Sequence, residues 1–227
     1  MPVLSIATAR RSLARGLARK SMTEAASDSA NTSRILSELH DMAPNARSRQ
    51  RFAARLRGRR GVVQARTVAD GLVLVLRSIM TVELRKEGLT CFTEARIAWT
   101  RVHVRCGKGT IALRLDAVHA SHHAIQRRVE RSDCPLTYLL SDMDASMQRA
   151  LARLAEGSVL TDRDDDYLPA PQGVWAVGTE EICADPTWGP AFRHSAPLQI
   201  FAVRTYLSEE ETRPTVWLGW SEARAAA

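Results

Sequence analysis

Apolar positions alternate with polar ones in two adjacent stretches. Ala95 to Cys106 carries Ile97, Trp99, Val102 and Val104 between polar neighbours, and Thr110 to Val118 repeats the pattern through Ile111, Leu113 and Leu115. With Gly107-Lys108-Gly109 between them, the pair predicts a β-hairpin. Upstream, Val68, Leu72, Val75, Leu76, Ile79 and Val82 recur at helical spacing, so Val62–Glu87 reads as a packing helix, weakened at Gly71 and stopped by Gly88. Ser141–Glu156 reads as a second helix. Ser141 and Asp144 form a capping pattern there, Met143, Met147, Ala150, Leu151 and Leu154 mark the buried face, and Gly157 ends it.

Between the hairpin and that helix, Ala120–Arg131 has a shorter helical pattern. Ile125 and Val129 point inward, while His123, Arg127 and Arg131 fall at i, i+4 and i+8 and share another side. Ser132–Pro135 is a break, and Leu136–Leu140 a short apolar piece. Thr161–Asp166 reads as a charged loop and Cys183–Pro197 as a long one. Gly173–Thr179, Leu198–Leu207 and Thr215–Trp220 read as strands, and Ser221–Ala227 as a tail. Residues 1–60 offer little apolar periodicity beyond one or two helical turns at Ser33–His40. The expected architecture is α+β, with helices packed on one face of an antiparallel sheet. A β-hairpin and a disordered basic N-terminal arm precede it. The expected boundaries are 1–61 for the arm, 62–220 for a single α+β domain and 221–227 for the tail.

Charge sharpens that division. The net charge is +7, yet residues 1–66 hold 14 Lys/Arg against 4 Asp/Glu, and the remainder holds 18 against 21. The basic excess is therefore N-terminal, which argues for an arm on a near-neutral domain and against a globally basic fold. Arg47, Arg49, Arg51, Arg55, Arg57, Arg59 and Arg60 place seven arginines in fourteen residues around Phe52 and Leu56. That is either an RNA- or DNA-phosphate contact that orders on binding or a solvated basic tail. Met1–Met22, rich in Arg, Ser and Ala and without an acid, has a transit-peptide composition, with a disordered tail or an early start as the plainer readings. No apolar run approaches the roughly 20 residues of a membrane span, and Val73–Leu76 ends at Arg77. Four separated cysteines without Cys-x-x-Cys read as reduced thiols in a cytoplasmic protein, with one or two disulfides as the alternative for an exported one.

Nucleotide-loop, metalloprotease and nucleophile-elbow motifs are absent, so no cofactor is expected. His119, His122, His123, Cys134, Cys183 and His194 could assemble a zinc site only against the strictness of ligand geometry, so no metal is expected. Ser121-x-His123-Ala124 followed by Arg127 and Arg131 resembles the helical motif of small RelE/BrnT-like toxin ribonucleases. The late Arg204-Thr205-Tyr206 is similar to a strand of such proteins. The resemblance implies a metal-independent, RNA-cleaving protein with an antitoxin-like protein partner. Its site would hold His123 as acid or base, Arg127, Arg131 and Arg204 around the phosphorane, and Tyr206 as proton donor or base-stacking ring. Arg128 would point away from this site and matter little. The same residues also fit the ordinary solvated face of a helix. The competing classes are a non-catalytic nucleic-acid-binding protein led by its arginine-rich arm and an interaction protein presenting Trp175, Trp188, Trp217 and Trp220. The setting of His123, in a cationic pocket or on an open face, separates the enzyme from both.

Overall fold

A computed structural model describes residues 6–86, 89–107, 110–183, 188 and 197–225. Gly88, Lys108, Gly109, Phe192 and His194 lie outside the described residues. Three helices open the chain: α1 (Ile6–Ala26), α2 (Ser29–His40) and α3 (Ala46–Leu56). Strands β1 (Val62–Val68), β2 (Gly71–Lys86), β3 (Leu89–Cys106) and β4 (Ile111–Ser121) form an antiparallel meander. Helices α4 (His122–Arg131) and α5 (Leu139–Ala155) follow. A second antiparallel meander comprises β5 (Leu160–Asp162), β6 (Asp165–Ala170), β7 (Gly173–Ile182) and β8 (Leu198–Ser208), and α6 (Pro214–Ala225) closes the described chain. The two meanders join through parallel pairing of β4 with β8, giving one curled, mixed eight-stranded sheet in the order β1-β2-β3-β4-β8-β7-β6-β5.

Helices cover both faces of the sheet, which corrects the expectation of an antiparallel sheet covered on one. On the first face, Ala14, Ala18 and Ala25 of α1, Ala124, Ile125 and Val129 of α4, and Met143, Met147, Ala150 and Leu151 of α5 pack on Val75, Ile97, Trp99, Val118, Trp175, Val203 and Tyr206. On the second, Ile35, Leu36 and Leu39 of α2 and Phe52, Ala53 and Leu56 of α3 pack with Trp188 on Leu72, Leu74, Leu76, Val102 and Val104. Helix α6 lays Val216 and Trp220 on Tyr167 and Val174 at the far end.

Three further differences from the sequence reading have physical causes. Residues expected as a disordered arm form α1, α2 and α3. The buried stripe of α1 is Ala14, Ala18, Ser21 and Ala25, helically spaced but too small to stand out as an apolar pattern. The stretch expected as one helix is two strands, Val62–Val68 and Gly71–Lys86. Leu72–Leu76 is buried on both faces, and such a strand reads as a continuous apolar run rather than an alternation. A Cβ at Gly71 would collide with the Val104 carbonyl, so this glycine marks close strand approach. Thr215–Trp220 belongs to a helix, with Pro214 at its first position and Val216 and Trp220 one turn apart. The charged stretch expected as a loop at Thr161–Asp166 is the β5–β6 hairpin. Among the described residues, no helix is long and apolar enough to cross a membrane.

Candidate nucleic-acid interface

Helix α4 begins where β4 ends. The Ser121 side chain caps it by accepting from the Ala124 amide at 3.2 Å, while Ala124, Ile125 and Val129 anchor its inner side. The residue that fixes the helix most strongly is Arg128, 1% exposed. Its guanidinium donates to the Tyr206 hydroxyl at 2.8 Å and the Pro171 carbonyl at 2.6 Å, and it meets Asp142 at 3.3 Å. Its carbon lies 4.8 Å from the Tyr206 ring centroid and 6.0 Å from that of Trp175. Tyr206 reaches the carbonyls of Pro171 and Gln172 at 2.8 and 2.6 Å. Burial pushes its phenol up to about 12, against the opposing pull of Arg128. Gln172 adopts φ 60° after Pro171, the arrangement of a tight turn that must hold a non-glycine residue in the left-handed region. Arg128 and Tyr206 together clamp that turn. This is the reverse of the expectation that Arg128 faces away and matters little.

The five residues of the expected ribonuclease site do not share one surface. His123 is exposed on the outer side of α4. Arg127 pairs with Glu130 at 2.8 Å. Arg131 donates to the Tyr206 carbonyl at 2.6 Å and meets Glu211 at 2.9 Å, so it ties α4 to the end of β8. Tyr206 is wholly buried on the first face. Arg204 sits at the β-bulge opposite Ala176/Val177 and lies against Gly178, on the second face. Of the four tryptophans expected to present a partner surface, only Trp217, at 40%, is appreciably exposed.

What lies beside His123 is α1. The ring nitrogen Nε2 of His122 approaches the Arg15 carbonyl at 3.4 Å, and Arg10 donates to the Ser132 carbonyl at 3.3 Å. Arg11, Arg15 and Arg19 recur every four residues and are exposed, and none has an ion-pair partner among the described residues. Glu130 of α4 lies within the field of Arg11. Burial works against its charge, but hydrogen bonds from Gln126 and Arg127 and the field of Arg11 hold its carboxyl below the usual range. The packed pair α1–α4 is therefore a rigid ridge with Arg11, Arg15, Arg19, His123 and Arg127 along it.

The seven clustered arginines lie on the other side of the sheet. Arg47, Arg51 and Arg57 are exposed. Arg55 meets Glu38 at 2.7 Å, Arg59 meets the same carboxylate at 3.7 Å, Arg60 lies 3.4 Å from Asp28, and Arg49 donates to the Pro44 carbonyl. More than half of this cluster holds α3 to α2 and to its own loop. The sequence reading missed the α1 stripe as a surface because it took that segment as unstructured, although the spacing of Arg11, Arg15 and Arg19 was there to read. Among the described residues, no group of three or more His, Cys, Asp and Glu could hold a metal ion. No protein-family model, curated protein or solved structure matches the chain.

Proposed function

We propose that this protein is a non-catalytic nucleic-acid-binding module whose interface is the α1–α4 ridge. The observation that carries this reading is the unpaired stripe of Arg11, Arg15 and Arg19 on a helix that the core holds in place. A preformed row of guanidiniums gains phosphate contacts and releases counterions without paying for the ordering of an arm. The near-neutral charge of the rest of the chain keeps that attraction local. The RNA-cleaving alternative needs His123, Arg204 and Tyr206 around one phosphate, and they lie on different surfaces.

The test is fluorescence anisotropy with a labelled 20-nucleotide RNA over a salt series, comparing the wild type with Arg11→Ala/Arg15→Ala/Arg19→Ala. The expected result is at least a roughly tenfold loss of affinity at low salt, with the salt slope shallower by about 2, because each lost phosphate contact removes about 0.7 on a single strand. The melting temperature should not move, since all three side chains point to solvent. Equal affinity and slope in both proteins would overturn the interface. RNA that is shortened during the titration, and spared by His123→Ala, would restore the cleavage reading. Binding to anionic lipid vesicles with none to RNA would replace it with a membrane-surface role.

A further inference from the structure

Strand β5 pairs with β6 only from Asp165 to Tyr167, so Leu168–Ala170 has β7 on one side and no strand on the other. Helices α5 and α6 meet across this open edge and leave a groove of about 210 Å³. Its floor is Pro169, Ala170 and Pro171, with the largely covered Trp220 beside them. Neither proline has an N–H to offer, and a proline on a free edge discourages pairing with another strand. The Ala170 carbonyl accepts from Trp220 Nε1 at 2.8 Å, and the Pro171 carbonyl accepts from Arg128 and Tyr206. The floor is therefore mostly apolar, and the Arg128–Tyr206 clamp holds it in place.

The rim of the groove is cationic. Arg149 and Arg153 stand one turn apart on α5. Arg224 stands one turn beyond Trp220 on α6, its guanidinium carbon 5.4 Å from the ring centroid. Among the described residues no acid lines the groove. Glu156 and Glu222, the acids nearest in sequence to Arg153 and Arg224, are exposed and do not contribute to it. Helix α5 ends at Ala155 and α6 at Ala225, so both C-termini add partial negative charge here, together about one elementary charge. Three guanidiniums outweigh that, and the lining keeps an excess of about two positive charges.

We propose that this groove binds a small carboxylate with an apolar ring, the ring on the proline floor and the carboxylate at the arginine rim. Size limits the class. The space equals that of about seven waters, enough for one six-membered ring with a short acid group. Sites for drug-sized ligands are larger, roughly 300–1,000 Å³. Charge sets the orientation, because a floor with few donors cannot hold an anion. A guanidinium meets a carboxylate with two parallel N–H donors, and its flat face also stacks on a ring. An amine of the same shape is repelled by the rim, and a bare anion leaves the floor unused. The groove shares no residue with the α1–α4 ridge and stands whether or not that ridge binds RNA.

The test is saturation-transfer NMR on the intact protein at fixed ionic strength, with benzoate as the probe, benzylamine as the cationic counterpart and inorganic phosphate as the competitor. The wild type should show transfer to benzoate and none to benzylamine. The indole N–H resonance of Trp220, assigned through Trp220→Phe, should move during the benzoate titration. Arg149→Gln/Arg224→Gln should weaken benzoate by roughly tenfold or more, since charge-assisted contacts are lost. It should melt like the wild type, because both side chains are exposed. Arg11→Ala/Arg15→Ala/Arg19→Ala should bind benzoate as the wild type does, which separates failure of this site from failure of the ridge. No transfer to benzoate, equal transfer to benzylamine, displacement by equimolar phosphate, or unchanged affinity in Arg149→Gln/Arg224→Gln overturns the proposal. A loss confined to the α1 variant would place the anion on the ridge and overturn it as well.

Discussion

The two faces of the sheet bury polar side chains in opposite ways. On the first, Trp99 donates to Asp144 at 2.8 Å, Asp144 also meets Arg77, Trp175 donates to Ser146 at 3.0 Å, and Arg128 is engaged by Tyr206, Pro171 and Asp142. Apart from Arg128 Nε, these groups have partners. On the second, His119, Ser78 and Thr100 have none. A satisfied buried network specifies one packing of the helices on the sheet, whereas an unsatisfied cluster is a cost that stability alone does not explain. The first face holds the helices through a bonded polar network, whereas the second buries His119, Ser78 and Thr100 without a partner within the chain.

The sharpest way to break that contrast is Arg128→Ala. It leaves Asp142, the Tyr206 hydroxyl and the Pro171 carbonyl short of a donor at a site where Arg128 itself is 1% exposed. The expected loss is about 3–5 kcal/mol, as for one partner removed from a buried charged network. Urea denaturation gives the value, and a loss below about 1 kcal/mol would show the clamp to be dispensable.

The second face should reveal itself through pH. His119 sits at about 3 in the fold against 6.5 in an unfolded chain. Between those values the unfolded chain binds the extra proton, so this contribution is complete above pH 6.5 and is lost as pH falls. The slope is about 1.4 kcal/mol per pH unit for one group. The neighbouring charges, Arg96 with Glu94 and Glu180, oppose protonation through the guanidinium. His119→Leu should therefore flatten the stability curve between pH 6 and pH 4 by about that slope. Parallel urea midpoints for variant and wild type across the range would mean that the imidazole is not held neutral.

Those two residues also show what the sequence could and could not reveal. Helices α4 and α5 were legible because each has one buried and one open side, and the β3–β4 hairpin because its outer half, Ile111–Leu115, alternates before burial closes on both faces; β7 and β8 stood out as short apolar runs instead. Helix α5 carries Met143, Met147, Ala150 and Leu151 inward as expected, although its first residues, Leu139 and Leu140, come two earlier and Asp144 serves Trp99 rather than a cap. Strand β2 was lost because burial on both faces erases alternation, and α1 because its contact stripe is alanine. Arg128 was passed over because a lone arginine on a charged helix gives no sign of burial until Tyr206 and the Pro171–Gln172 turn are brought to it across the sheet. His119 appeared only as a remote zinc ligand, since its small neighbours come from four other strands. Because Ala14, Ala18, Phe52 and Leu56 belong to the core, removing residues 1–61 would test folding rather than binding. Point substitution is the way to separate charge from structure there.

The smallest expected effect compares two neighbours on one helix. Arg127 is one residue from Arg128, yet its side chain is 36% exposed and its ion pair with Glu130 is a local i, i+3 contact. Such pairs contribute about 0.2–0.5 kcal/mol, so Arg127→Ala should leave the melting curve close to wild type, in contrast with Arg128→Ala. Glu130 is the sharper probe of the ridge, because its carboxylate partly neutralises Arg127 and Arg11. Glu130→Gln keeps the shape and removes the anion, so RNA should bind roughly two- to threefold more tightly at low salt, with the gain fading as salt screens the field. If the ridge is the interface, that gain should vanish in the Arg11→Ala/Arg15→Ala/Arg19→Ala background. A gain that persists there would place the bound phosphates on α3 and its Arg47, Arg51 and Arg57.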